Sequence, residues 1–431
     1  MNLHPSCSRA FFLGATAITL VLASSTPQAA ADGISRDQHG GRGTAQLGAL
    51  TGRADSPSAV TYNPAGITRL AGLQIEGGLD FANGTDNFDS NGRFRANHTI
   101  QFPPVLYLTW RPESFQRFTF GLGLDQPAWY RVDWDPALFP GRFETRVAEV
   151  RLFELHPVVA YELDENWSVG GGLRYVTGSL EDGFNTAGTL MNSAGSTSFE
   201  IQNTAEATAD AVTFDLAVHY QTDVWGFGAS YRGEADLEAQ DDFEVEVISI
   251  SNPAEESAVL AQFPFTRAEQ GFSLPAELRG GVWIAPYPEL RIELDAAFKN
   301  WSGLDDAEVH ITSPSRPAIT VRRQRDWKNT LALRLAAEGE LTDQWSISGG
   351  LAFEPSPVPE KTLEPGFPRG DAWAIGLGGS YNLEWISFDL AYSFRDFKSR
   401  TLTGQIPGDP NRPATYGGNE QVWAASARWR F

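Results

Sequence analysis

Hydrophobic positions along this chain recur with a period of two, in segments about ten residues long. In residues 290–301, LRIELDAAFKNW, the side chains of Arg291, Glu293, Asp295 and Lys299 fall on one side of an extended chain, and those of Leu290, Ile292, Leu294, Ala296 and Phe298 on the other. The same alternation sets Val212, Phe214, Leu216, Val218 and Tyr220 against Thr213, Asp215, His219 and Gln221. It recurs at Ile386, Phe388, Leu390, Tyr392 and Phe394, which oppose Ser387, Asp389 and Ser393. About fourteen such segments can be counted, from Leu73 to the strand that contains Gln421. Their length and alternation match tilted strands that cross a membrane.

The connections sort into two classes that tend to alternate. Residues 164–166, 286–288 and 342–344 are short turns, whereas 182–210, 241–271 and 302–326 read as long polar loops. An outer-membrane barrel keeps short turns on its periplasmic side and long loops outside, and a soluble sandwich has no reason to sort by parity. Aromatics cluster beside the short turns, among them Trp110, Tyr161, Trp167, Trp225, Trp345 and Trp385, where an interfacial girdle belongs. In such a barrel a one-residue slip in 290–301 would turn several charges toward lipid, at roughly 2–4 kcal/mol for each Arg or Lys near the midplane. The charges are therefore expected to face the lumen.

Composition narrows the reading further. With 42 Gly, 26 Pro and 12% aromatic residues, the chain favours strands and turns over long helices. A formal charge of −21 argues against a nucleic-acid partner. Residues 1–31 have a weakly basic start, an apolar core of about thirteen residues and small residues up to Ala31, the form of an export signal. The one cysteine, Cys7, precedes that core, so the mature chain is expected to hold no disulfide, which suits a bacterial envelope protein. No later segment has eighteen uninterrupted apolar residues. The end, QVWAASARWRF, puts Trp423, Ala425, Ala427, Trp429 and Phe431 on one face; a terminal aromatic on an amphipathic last strand resembles the recognition signal read by barrel-assembly machinery.

Residues 32–72 are small, Gly-rich and turn-prone, and suit compact packing inside a barrel formed by 73–431. The series Gly41, Gly43, Ala45, Gly48, then Ala54-Asp55, Pro57-Ser58-Ala59-Val60 and Tyr62-Asn63-Pro64-Ala65-Gly66 closely resembles the N-terminal hatch of the FadL family of outer-membrane long-chain fatty-acid and hydrocarbon transporters. Later matches at 274–277, Phe298 with Trp301, 345–350 and 353–359 extend the resemblance along nearly the whole mature chain. The fold expected is thus all-β: a 14-stranded antiparallel transmembrane β-barrel with an N-terminal hatch in its lumen, in the outer membrane of a Gram-negative bacterium.

The resemblance implies passive uptake of a hydrophobic small molecule, with long-chain fatty acids first and alkane or aromatic hydrocarbons as the alternative. A general porin or an adhesion barrel are the readings from other classes. The ligand would load between outer loops, pass to a tighter site, and leave sideways into the membrane once the hatch shifts and the third strand kinks. Such a molecule needs a dry path, since each exposed CH₂ costs about 0.8 kcal/mol. The gating role falls to Asn63, Pro64 and Ala65, and the kink to Gly121, Gly123 and Pro127. Arg322, Arg323 and Arg325 are the candidate head-group residues, Arg323 by approximate alignment with a basic residue of the family. A second basic position of the family has no Lys or Arg counterpart in residues 179–184, which keeps a neutral hydrocarbon in play.

Outer-membrane lipid and lipopolysaccharide surround such a barrel, and a monomer is expected. No cofactor, metal site or enzymatic activity is expected, because none of the six histidines stands in a nucleophile or metal spacing. His156 and His219 read as hydrated lumen residues. Apolar residues at 258–260 and 263–265 suit either an outer capture groove or a packed loop helix.

Overall fold

The computed structural model describes residues 34–431 apart from 91, 98–99, 193–194, 304–306, 324 and 405–411. The export signal expected over 1–31 lies outside the described residues. Fourteen antiparallel strands form the wall: β1 Leu73–Asp89, β2 Pro104–Trp110, β3 Phe118–Asp133, β4 Val147–Glu162, β5 Trp167–Asn192, β6 Gly195–Gln221 and β7, which is broken into Trp225–Arg232 and Ala235–Ile250. β8 (Arg267–Leu274 and Glu277–Tyr287), β9 (Leu290–Lys299 and Ala307–Thr312) and β10 (Ile319–Arg323 and Thr330–Glu340) are broken too, followed by β11 Trp345–Glu354, β12 Ala372–Asn382, β13 Ile386–Leu402 and β14 Ala414–Arg430. Each strand pairs with its sequence neighbours, and β14 pairs with β1 from Gln74↔Arg430 to Asp89↔Thr415. Closure removes the free edges that an open sheet of this size would leave.

Alternation in sequence becomes alternation across the wall. On β9, Glu293, Asp295 and Lys299 are buried toward the lumen, while Leu294 is 56% and Phe298 40% exposed on the outer face. Leu173, Leu216, Leu333, Leu377 and Leu390 continue this outward apolar band. Rings pair across strands beside the short turns, as in Trp167–Tyr220 and Trp345–Tyr381, with centroids 4.9 and 4.8 Å apart.

Two of the expected long loops are strand in whole or in part. Residues 182–210 continue the β5–β6 ladder without a break to Asn192↔Gly195, and 241–250 and 267–271 belong to β7 and β8. From Asn203 to Ala209 the inward positions, Asn203, Ala205, Ala207 and Ala209, are small or polar, so the period of two is present there without the hydrophobic contrast that reveals it. The apolar residues near 260 form a packed helix, Glu256–Leu260, with Val259 buried against Phe199 and Ile201.

Candidate functional site

Residues 34–72 fill the lumen near the short-turn end. The segment folds as α1 (Gly40–Ala45), α2 (Ala59–Tyr62) and a 3₁₀ turn, Pro64–Arg69, nearly all of it buried. Asn63 organises the last of these. Its Oδ1 accepts from the Ala65 amide at 3.2 Å, and its Nδ2 donates to the carbonyls of Thr51 at 3.0 Å and of Val218 in β6 at 3.1 Å. Pro64 opens the turn, where a missing N–H costs nothing. The Ala65 carbonyl accepts from Ser168 of β5 at 2.8 Å. The wall makes room with glycine: a Cβ on Gly170 would come within 2.8 Å of the Ala65 nitrogen, and one on Gly228 within 2.3 Å of Asn63 Nδ2. The Asn-Pro-Ala triplet thus pins hatch to wall.

Charge completes the seat. Asp37 lies among Arg279, Lys299 and Arg334, with Lys299 Nζ at 2.9 Å and an Arg334 nitrogen at 2.6 Å. The lumen carboxylates Glu293 and Asp295 accept the hatch amides of Gly52 and Thr51 at 2.6 and 2.9 Å. Arg42 bridges Asp55 at 2.6 Å and Glu338 at 2.9 Å. Burial alone would raise the Asp55 pKa, but the Arg42 and Arg53 cations outweigh it and hold the carboxyl well below its usual range. Burial lowers the His39 pKa to about 4, with Arg36 and Arg232 adding to the effect and Asp125 and Asp37 opposing it, so His39 sits neutral beside Tyr62. The two lumen histidines are not the hydrated residues expected: His219 Nε2 is 2.9 Å from the Gly52 carbonyl, and His156 Nε2 is 3.0 Å from Asp215, both fully enclosed. The hatch and neighbouring strands occupy the space that water was expected to fill.

The wall is irregular in β3. Its ladder with β4 slips between Asp125 and Ala128, and residues 125–128 are all buried. Pro127 sits in this bulge. Gly121 and Gly123 lie outside it, where the ladder is regular. They face inward, where a Cβ would meet Val60 of the hatch at 2.8 and 2.9 Å. Pairing of β2 with β3 stops at Leu106↔Leu124, which leaves the bulged edge without a strand from β2 among the described residues. The chain's start takes up that edge instead: Ser35 bridges Ala128, and the Arg36 amide donates to the Pro127 carbonyl at 2.8 Å.

Above the hatch the inward positions turn apolar. Tyr130, Val132, Trp134, Val150, Leu152 and Leu237 belong to one cluster that also takes in Phe272, Trp301, Trp327 and Tyr416. Of the three arginines ahead of the second segment of β10, Arg325 is buried, with its guanidinium 5.4 Å from the Phe272 ring and 5.3 Å from that of Trp327. It lines a cavity of about 860 Å³ whose other walls include Glu238, Glu269, Glu308 and His310. Arg322 is exposed and pairs with Glu308 at 2.9 Å. The Arg323 side chain lies outside the described residues. Phe431 stands exposed at the end of the wall, its amide donating to the Leu73 carbonyl at 2.9 Å.

Known proteins share this architecture. A family model described as outer membrane protein transport protein (OMPP1/FadL/TodX) matches residues 20–431. The long-chain fatty acid transport protein of Escherichia coli K12 is 21% identical over 366 residues, covering 76% of this chain and 79% of its own. A FadL homologue from Pseudomonas aeruginosa superposes with a TM-score of 0.79 at 18% identity, over 93% of this chain and 100% of its own. The toluene transporter TodX of P. putida gives 0.73 at 15% identity, over 92% and 99%. A closed fourteen-stranded wall, a beginning folded into its lumen and a family match over nearly the whole length agree: the chain belongs to the FadL/TodX family of outer-membrane transport proteins for hydrophobic molecules.

Proposed function

We propose that this transporter takes up long-chain fatty acids. The observation that carries the reading is the bulge in β3, an unpaired stretch of wall stopped by Ser35 and Arg36, which lies beneath an apolar outer lumen. An acyl chain enters that apolar region from outside and stays out of water. Arg325 meets the carboxylate at the outer cavity, with Arg322 and Arg323 beside it on the same segment. The hatch then shifts about the Asn63-Pro64-Ala65 attachment, the first residues leave the bulge at Pro127, and the ligand passes between β2 and β3 into the bilayer. Residues 1–31 direct export, Phe431 is read by the barrel-assembly machinery, and the working unit is a monomer set among lipopolysaccharide and lipid.

A second reading, uptake of neutral alkane or aromatic hydrocarbons, is favoured by the carboxylates that surround Arg325, because Glu238, Glu269 and Glu308 oppose an anion. Cells with and without the protein, given labelled oleate or labelled toluene, separate the two. Oleate entry that depends on the protein is the expected result. Dependence for toluene alone selects the second reading. High steady single-channel ion conductance with no difference in entry of either compound overturns both.

A further inference from the structure

Beside the bulge of β3 lies a cavity of about 40 Å³. One buried water needs roughly 10–15 Å³ on the same measure, so the space suits a group of about three heavy atoms and not an acyl chain. Its lining is two-sided. Ile34, Trp129, Phe397 and Val422 are apolar, while Arg369 and Tyr130 bring polar atoms. Tyr130 is 2% exposed, yet its hydroxyl has no hydrogen-bond partner among the described residues. A buried donor without a partner has given up water for nothing.

The Arg369 guanidinium stands 4.9 Å from the Tyr130 ring centroid and 4.7 Å from that of Phe397. Asp86 grips it through two contacts of 3.1 Å, and Glu420 reaches it at 3.4 Å. Those contacts fix the plane of the group, and each of its two terminal nitrogens carries two N–H donors. The charged lining balances, with Arg36, Arg369 and Arg395 against Asp37, Glu354 and Glu420. A head group there is recognised by hydrogen-bond geometry and not by net field. The species that satisfies an O–H and a guanidinium edge together is a small planar acceptor with two oxygens.

We infer that Tyr130 and Arg369 form a head-group site for the carboxylate of a long-chain amphiphile, held with its tail along the gap between β2 and β3. The inference rests on the fatty-acid reading above and adds a site apart from the Arg322–Arg325 segment. A hydrocarbon offers these donors nothing.

The test is ligand binding to the purified full-length protein in detergent, followed by tryptophan fluorescence, with oleate and 1-octadecene as probes and Tyr130→Phe as the variant. The hydroxyl has no partner among the described residues, so its removal should not lower the melting temperature. Oleate affinity should fall roughly tenfold, the size of one hydrogen bond to a charged group, while octadecene binding stays unchanged. Arg369→Lys, which keeps the charge and loses the fork, should weaken oleate as well. Unchanged oleate affinity in Tyr130→Phe, equal weakening for octadecene, or a lower melting temperature overturns the site. If wild-type protein binds and transports oleate while the variant matches it, only this site falls; if wild-type protein neither binds nor transports oleate, the fatty-acid reading falls with it.

Discussion

At the scale of single residues, the hatch is held by groups whose ionisation is set by burial. His39 is enclosed and neutral, with a pKa lowered to about 4 from an ordinary value near 6.5. Between these values the unfolded chain binds more protons than the folded one, so stability rises with pH across the window and falls as the medium is acidified from about 6.5 to about 4. The full difference amounts to about 3 kcal/mol, since each tenfold change in proton affinity is worth roughly 1.4 kcal/mol. The protection of the hatch amides, their hydrogen-exchange rate relative to the intrinsic rate at each pH, should therefore fall from pH 7 to pH 4, and His39→Phe should flatten the response. An acid response that persists in the variant would assign it to other groups. None of this is visible along the chain: period two tells which face His219 or His156 occupies, but not that a hatch carbonyl or Asp215 stands opposite.

At the scale of elements, the strands that face lipid were the most legible part, because Leu, Val and Phe alternate there with polar residues over the thickness of a bilayer. Contrast fades beyond the membrane. In β6 the inward residues from Asn203 to Ala209 are Asn and Ala, so that stretch of regular ladder resembles a polar loop. The kink shows a similar limit. Glycine and proline both mark irregular strand, yet Gly121 and Gly123 serve close approach by Val60, and only Pro127 lies where the register slips. The contact between the chain's start and that slip is long-range, and no local signal carries it. It can be locked. A residue pair bridged in antiparallel fashion has Cα atoms about 4.5–5.5 Å apart, within disulfide reach. The double variant Ser35→Cys, Ala128→Cys should form a disulfide that stops oleate entry, and dithiothreitol should restore it. Full transport by the oxidised protein would show that these residues need not part.

At the scale of the whole molecule, closure depends on the two ends meeting. β14 lies against β1 over sixteen paired positions, and the amide of Phe431 adds one further bond to Leu73. The Phe431 ring contributes little to that seam, being 74% exposed, so its deletion should leave the finished barrel as heat-resistant as before. The amount reaching the outer membrane should instead drop several-fold, read as the heat-modifiable band on a gel. A normal yield would remove the ring from any part in assembly.

The β5–β6 hairpin has a further consequence. Its strands run 26 and 27 residues, where about 9–11 cross the hydrocarbon, so at roughly 3.3 Å per residue some tens of ångströms of ribbon stand beyond the bilayer on one side of the mouth. On that side an oil droplet or a micelle meets this mast before it meets the opening.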